Sequence, residues 1–519
     1  MKHPFIENFV KARERINPVK IYETSITRKK DCTFFLILEN LEKKLTILYP
    51  SSRKNFLNGF KVEETGKVEF EKGIFEYAIC PRNHQNASAL RKIFPFTRPR
   101  VMGLTPAVGT GDRIGLATPG HIRAVKEFGI FPVLAQQSIR EMNRTSRTPR
   151  EVLDDVSWAV FQEGYREGFA ADADHLKTKD DIEETFEAGF TMYTIDPSDY
   201  VDNNADDYNL EMLKSKFEKL PWKRLRCQKG EYSRIYLGEK FVLSAPNRKE
   251  RSIEFSEETL LRAAVKYSSA IAHVAEMYAH LKKLSGRRRF DMEMSVDETE
   301  KPTSPLEHFF IVSELKRLGI QIQGLALRFV GRFEKAIDYI GDLNEFEKSF
   351  EEHVFIAKAC GPYKLSIHSG SDKFSIYPIV GRHAADMIHL KTAGTIYLEA
   401  LRLVARHDPK LFREIVKYGL KCFEKDRKSY NVSTDLSLIP DPETVSDRDL
   451  EETYLNNSNG RQVLHITYGS ILTAKTNEGE WLFRDRLTRI LIENEEEHYE
   501  TVAAHIKRHI EPLWKRNKI

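Results

Sequence analysis

Cysteine is scarce and scattered: Cys32, Cys80, Cys227, Cys360 and Cys422 are the only five in 519 residues, with no Cys-x-x-Cys pair. That spacing excludes a disulfide framework, a zinc ribbon and a redox dithiol, and fits a reducing cytoplasm. An excess of one charge is missing too, since 81 basic and 77 acidic residues leave a net charge of only +4. Without a long-range field the chain has no electrostatic claim on nucleic acid or an anionic membrane, so small molecules are the expected partners. The opening Met1-Lys-His-Pro-Phe-Ile-Glu7 holds no signal-peptide core, and nothing later approaches the ~20 apolar residues of a membrane span. A soluble, cytoplasmic protein is expected. Internal repeats and low-complexity tracts are absent as well.

What is present is 41% apolar content, enough in a chain this long to bury a large core in more than one unit. Apolar runs near Thr33 and Leu45 alternate with charged turns and predict a small strand-rich domain over residues 1–97. From residue 98 to 435 short apolar runs alternate with helical segments, the rhythm of repeated βα units. Strand ends are expected at 101–104, 132–136, 169–175, 192–196, 289–295, 324–329, 363–368 and 385–391. Eight such strands predict an α/β fold, a TIM-type (β/α)8 barrel. Residues 202–286 are too long for one loop. They read as an insertion with a strand near 234–242 and a helix over 256–284, placed to cover the site. Residues 436–519 read as a helical extension packed on the barrel, with the Glu-rich run 493–500 as a solvated helix face.

Polar residues at the carboxyl ends of barrel strands are first read as chemistry. Asp174 and His175 end the third strand and His368 the seventh. Alternation on the fifth strand puts Glu293 inside the barrel, where a carboxylate is costly unless a cation or base meets it. Two histidines and a carboxylate make an open site for a divalent ion, with Zn, Mn, Co or Ni as candidates. Taken singly, His175 and His368 read equally as hydrogen-bonded core histidines. Asp174 is the expected proton acceptor. Arg328, Lys177, Lys373 and Lys391 are cations at rim positions, suited to a carboxylate or phosphate or to surface salt bridges. Ser369 opens a loop of small residues that can approach an anion. Gly109-Thr-Gly111-Asp-Arg-Ile-Gly115 fails the dinucleotide fingerprint because its last glycine falls one residue late. Its Asp112 and Arg113, with His121, instead line the expected mouth, as do Gln136 and Arg140.

Asp174-His175, Glu293 with Asp297-Glu298, and His368-Ser-Gly-Ser resemble the class II, metal-dependent aldolases in type and order. In that family the Asp is an acid/base, both histidines bind zinc and the Glu lies near the metal. The sixth strand departs from it, with Leu327-Arg-Phe where those aldolases supply another histidine. Over almost its full length the chain resembles the bacterial tagaturonate epimerases. The carriers are Gly111-Asp-Arg-Ile-Gly-Leu-Ala-Thr-Pro-Gly-His121, Ala171-Asp-Ala-Asp-His-Leu-Lys177, Arg328-Phe-Val-Gly-Arg-Phe-Glu-Lys335, Ser366-Ile-His-Ser-Gly-Ser-Asp-Lys373 and Lys391-Thr-Ala-Gly394. The resemblance implies an isomerase that interconverts D-tagaturonate and D-fructuronate, with tagatose and fructose as further substrates, by retro-aldol and aldol steps. Its partners would be a small keto sugar acid or ketose, and a homo-oligomer is left open. The implied roles are Asp174 and Glu298 as catalytic acids or bases, with His175, Glu293 and His368 as metal ligands. Asp112, Arg113, His121, Gln136, Arg140, Lys177, Arg328, Ser369, Lys373 and Lys391 would contact substrate. A sugar aldolase and a noncatalytic aldolase-associated barrel are the rival readings.

Overall fold

A computed structural model of the chain describes residues 4–13, 18–70, 73–430 and 432–514; the tips of the expected first and last units, 1–3 and 515–519, lie outside the described residues. Eight parallel strands close into a barrel: β1 (Ala107–Gly109), β2 (Phe131–Ser138), β3 (Ala170–Leu176), β4 (Met192–Ile195), β5 (Asp291–Ser295), β6 (Gly324–Ala326), β7 (Lys364–Ile367) and β8 (Ile388–Lys391). They are short and buried on both faces, which is why they read as apolar runs rather than alternating ones. Helices follow with side-chain caps that satisfy their first N–H groups, as at Thr148, Thr178 and Ser304.

Seven strands fall where the sequence places them, but the first does not. Residues 101–106 form a turn, and β1 begins at Ala107. The hydrophobic Val101-Met102 run misleads because Met102 packs under the barrel beside Ala107, Val133 and Ala170, while its N–H is taken by Asp291 Oδ2 at 2.7 Å.

Before the barrel lies a six-stranded antiparallel sheet, built mainly on Cys32–Glu39, Glu42–Pro50 and Gly73–Pro81. Alternation divides its faces. Phe34, Leu36, Ile47 and Tyr49 pack with Trp158 and Phe161 of the barrel helix Pro149–Gln162, while Phe35, Ile37 and Leu48 cover Phe9 of the helix Pro4–Arg13. After the barrel, the helix Glu495–Ile510 returns to pack Val502 and Ile506 on Val125 and Phe128 of the helix Thr118–Phe128. The Glu-rich run is therefore not wholly solvated. Glu495 is buried, with Lys43 Nζ at 3.0 Å and Tyr22 OH at 2.8 Å.

Within 202–286 the expected long helix forms as Glu257–Ser285, but 229–236 is helical and only Lys240–Leu243 of the expected strand is extended. This segment packs sideways: Tyr236 OH donates to Glu314 Oε1 at 2.8 Å and Arg248 pairs with Glu351 at 3.0 Å. It does not cover the barrel mouth.

Candidate active site

Alternation along β3 turns Asp172 and Asp174 inward and Ala171 and Ala173 outward into the core. His175 would follow the alanines, but its left-handed φ of 55° and a register shift against β4 turn it to the mouth instead. Ala336, Ser369 and Asp372 also have φ between 49° and 62°, so strained backbone gathers around the mouth.

The inward side chains of β3, β5, β7 and β8 meet in one ionic cluster. Lys391 Nζ sits 2.8 Å from Asp172 Oδ2, 2.8 Å from Asp174 Oδ1 and 2.9 Å from both Glu293 Oε1 and Thr194 Oγ1. Glu293 Oε1 meets His368 Nε2 at 2.6 Å, and His368 Nδ1 lies 3.1 Å from Asp297 Oδ1. His175 Nδ1 is 3.0 Å from Asp174 Oδ1, and its ring centre is 5.0 Å from that of His368. Gln136 Nε2 donates to Asp174 Oδ2 at 3.1 Å. Glu293 has room only because residue 324 is glycine: a Cβ there would enter its carboxylate.

Burial by itself would raise these carboxyls, but Lys391 and His175 hold Asp174 well below the usual carboxylate range, and Lys391 and His368 do the same for Glu293. Burial opposes the charge on Lys391 too, yet Asp172, Asp174 and Glu293 keep it well above the usual lysine value. His175 and His368, held above the usual imidazole value by Asp174 and Asp297 against their burial, share these carboxylates with Lys391, and Asp172 is pushed up to about 6 by burial despite Lys391. Asp297 adds a fourth, held low by His368 and His175 against its burial. Glu293 Oε2 and Gln136 Oε1 are buried acceptors without a hydrogen bond. Ligand atoms of Asp174, His175 and His368 all lie within 4.8 Å of one another. Clustered buried carboxylates, orphaned acceptors and a two-imidazole, one-carboxylate donor set fit a divalent cation.

Two joined chambers open above the cluster. The inner one, about 70 Å³, is lined by Asp174, His175, Lys391, Arg113 and Gln136; the outer, about 340 Å³, by Arg328, Glu298, Asp297 and Phe329. Arg140, Lys335, His368, Ser369 and Tyr430 border both, and no residue of 202–286 lines either. Tyr430, Ala336 and His465 also line the inner chamber.

The profile of UxaE, tagaturonate epimerase, matches residues 22–513. The chain belongs to the tagaturonate epimerase family. These proteins are carbohydrate epimerases, a class of isomerases. The tagaturonate/fructuronate epimerase of Thermotoga maritima is 46% identical over 494 residues, 95% of this chain and 97% of that one. Crystal structures of the fructuronate-tagaturonate epimerase UxaE from Cohnella laeviribosi superpose with a TM-score of 0.88 at 39% identity in the native form, covering 98% of this chain and 99% of that chain. A form with two glycerols gives 0.89 at 38%, covering 99% and 100%.

Within this tagaturonate epimerase family member, Arg113, Gln136, Arg140, Arg328, Ser369 and Lys391 reach the chambers as the sequence expects, together with Asp174, His175, His368 and Glu298. Glu293 lies beneath them, bonded to His368 and Lys391. Four expected substrate contacts lie elsewhere. Asp112 is consumed by backbone N–H groups, Gly115 at 2.7 Å and Ala117 at 2.6 Å among them. His121 is fully buried in the helix Thr118–Phe128. Lys177 points outward to Asp199 at 2.8 Å, and Lys373 ties its own loop to the carbonyls of Glu334 at 2.8 Å and Ser371 at 3.0 Å.

The sequence reading gave no catalytic, metal or substrate role to Asp172, Asp297, Glu141 or Lys335. Asp172 was legible, two residues before Asp174 on the same face. Lys335 donates to Ser369 Oγ at 2.6 Å from a loop with no periodic signal. Glu141 holds the buried Arg113 at 3.0 Å, whose guanidinium stacks 3.6 Å from the Tyr468 ring.

Proposed function

We propose that the protein interconverts D-tagaturonate and D-fructuronate, which differ at C4 in ketose numbering, by breaking and remaking the C3–C4 bond. The relatives named above carry this activity in their names, and the observation that carries the mechanism is the ionised Asp174 beside Lys391 in the inner chamber, with Arg328 lining the outer one. Direct deprotonation at C4 leaves a carbanion that no carbonyl stabilises. Cleavage of C3–C4 leaves the electron pair on C3, where the C2 carbonyl takes it up as an enediolate.

Asp174 takes the C4 hydroxyl proton, the C3–C4 bond breaks, and C4 becomes an aldehyde on the fragment that bears the carboxylate. Lys391 offsets the negative charge that develops beside it. Arg328, which makes no salt bridge among the described residues, holds the carboxylate, with Lys335 nearby. Rotation of the tethered aldehyde presents its other face, the bond re-forms, and Asp174 returns the proton. Glu298, beside Arg140 at 3.4 Å, is the second proton-moving carboxylate. A divalent cation held by His175, His368 and Glu293 would supply Lewis-acid polarisation of the substrate's carbonyl. Neutral tagatose and fructose would react too, more weakly for want of a carboxylate.

Turnover of tagaturonate in deuterated water, followed by NMR with metal-stripped and metal-restored protein, tests this. Metal-dependent fructuronate without deuterium at C4 is expected. Deuterium at C4 overturns the mechanism, and net release of fragments makes the protein an aldolase.

A further inference from the structure

Behind the loop that follows His368, a second group of ligand-type side chains converges outside the two substrate chambers. Asp372 ends that loop with φ 60°. His505 and His509 stand one turn apart on the helix Glu495–Ile510 and present their rings to it. Both His505 Nε2 and His509 Nε2 lie 3.4 Å from the same oxygen, Asp372 Oδ1. All three residues are at most 5% exposed.

The surroundings fix these atoms. Arg461 takes the other Asp372 oxygen at 2.7 Å, which leaves Oδ1 facing the rings without a hydrogen-bond donor. His509 Nδ1 donates to the carbonyl of His505 at 2.8 Å, and His505 Nδ1 lies 3.4 Å from Glu399 Oε1. With its Nδ1 proton donated to that carbonyl, His509 carries its lone pair on Nε2, and a His505 ring protonated at Nδ1 beside Glu399 would do the same. Engagement of the remote ring nitrogen by a carbonyl or carboxylate is the arrangement that orients histidines as metal ligands. The Asp372 N–H at 2.9 Å from His509 Nε2 and the Thr395 hydroxyl at 3.0 Å from His505 Nε2 are the competing contacts. A cavity of about 420 Å³, lined by Asp372, His505, Glu399 and Arg508, gives access from solvent.

We infer that Asp372, His505 and His509 form a second divalent-metal site, of the zinc class, which rivets the C-terminal helix to the loop bearing His368 and Ser369. Two imidazoles and one carboxylate supply three ligands of a tetrahedral set, and Thr395 Oγ1 or a water from the cavity supplies the fourth. The site is independent of the catalytic reading.

Crystals of the full chain, stripped by chelation and reloaded with two molar equivalents of zinc, decide the matter through anomalous diffraction on either side of the zinc edge. A peak between Asp372 Oδ1 and the two Nε2 atoms is expected, as is a zinc content one equivalent per chain lower in His509→Gln than in the parent. An empty position in the loaded crystals overturns the site whatever the catalytic cluster binds. So does a folded H509Q protein with undiminished zinc.

Discussion

Lys391 Nζ crosses the barrel to meet Asp174 Oδ1 at 2.8 Å, although their strands, β8 and β3, share no backbone hydrogen bond. The contact joins the two ends of the catalytic unit, so the lysine is buried where its sequence position reads as rim. Replacing it by methionine strips the cation from Asp172, Asp174 and Glu293 together. Lys391→Met should lose about 3–5 kcal/mol of stability, as a broken buried pair does, and at least ~100-fold in kcat. Urea unfolding and initial rates measure both; a K391M enzyme with parental turnover removes Lys391 from the mechanism.

Asp174→Asn keeps the shape and removes the base. Turnover should fall by about 10²–10⁴-fold, the usual worth of a general base, and the melting temperature should fall too, because Asn no longer pairs as an anion with Lys391 and His175. Full activity in the variant moves proton transfer to another group, with Glu298 next in line.

Arg328 separates substrate classes. Arg328→Met should raise KM for tagaturonate about tenfold or more, through loss of a charge-assisted pair, and leave the rate with tagatose unaltered. Equal losses on both substrates would place the carboxylate elsewhere.

Gly324 tests the packing of the cluster. Its φ is ordinary, so Gly324→Ala acts only by driving a methyl group into the Glu293 carboxylate. Overpacking of this kind costs about 1–3 kcal/mol. The displaced Glu293 should cut kcat more than it raises KM, and an unperturbed kcat would show that Glu293 has no part in the reaction.

Acid should weaken the fold well above the carboxylate range. Burial pushes His121 and His353 down to about 4 from an ordinary 6.5. Between those values the unfolded chain binds protons that the folded chain refuses, so stability is fully present above pH 6.5 and is lost as pH falls toward 4. Each group contributes up to about 3 kcal/mol. The urea midpoint should therefore drop from pH 7 to pH 5; an unchanged midpoint would mean that these rings take up protons in the folded state.

Much of the site was legible because a barrel converts sequence position into location. Period-two alternation and the strand-end rule were enough for Asp174, Glu293 and His368, and the same alternation applied once more gives Asp172. Rim lysines were not legible. Lys177 and Lys391 look alike in sequence, yet one points out to Asp199 and the other in to three carboxylates. Strand phase decides that, and a bulge such as the one at His175 resets phase without a signature in composition.

By itself the sequence determined the class of fold, the strands β2 to β8 and the acid–histidine ends of β3 and β7, since these follow from local periodicity and from the cost of burying charge. Only the tertiary structure decided which carboxylates share Lys391, that Tyr430, Ala336 and His465 rather than 202–286 line the inner chamber, and that His505 and His509 face Asp372. Those pairings join residues far apart in the chain, and their energies depend on distance and burial, which exist only once the barrel has closed.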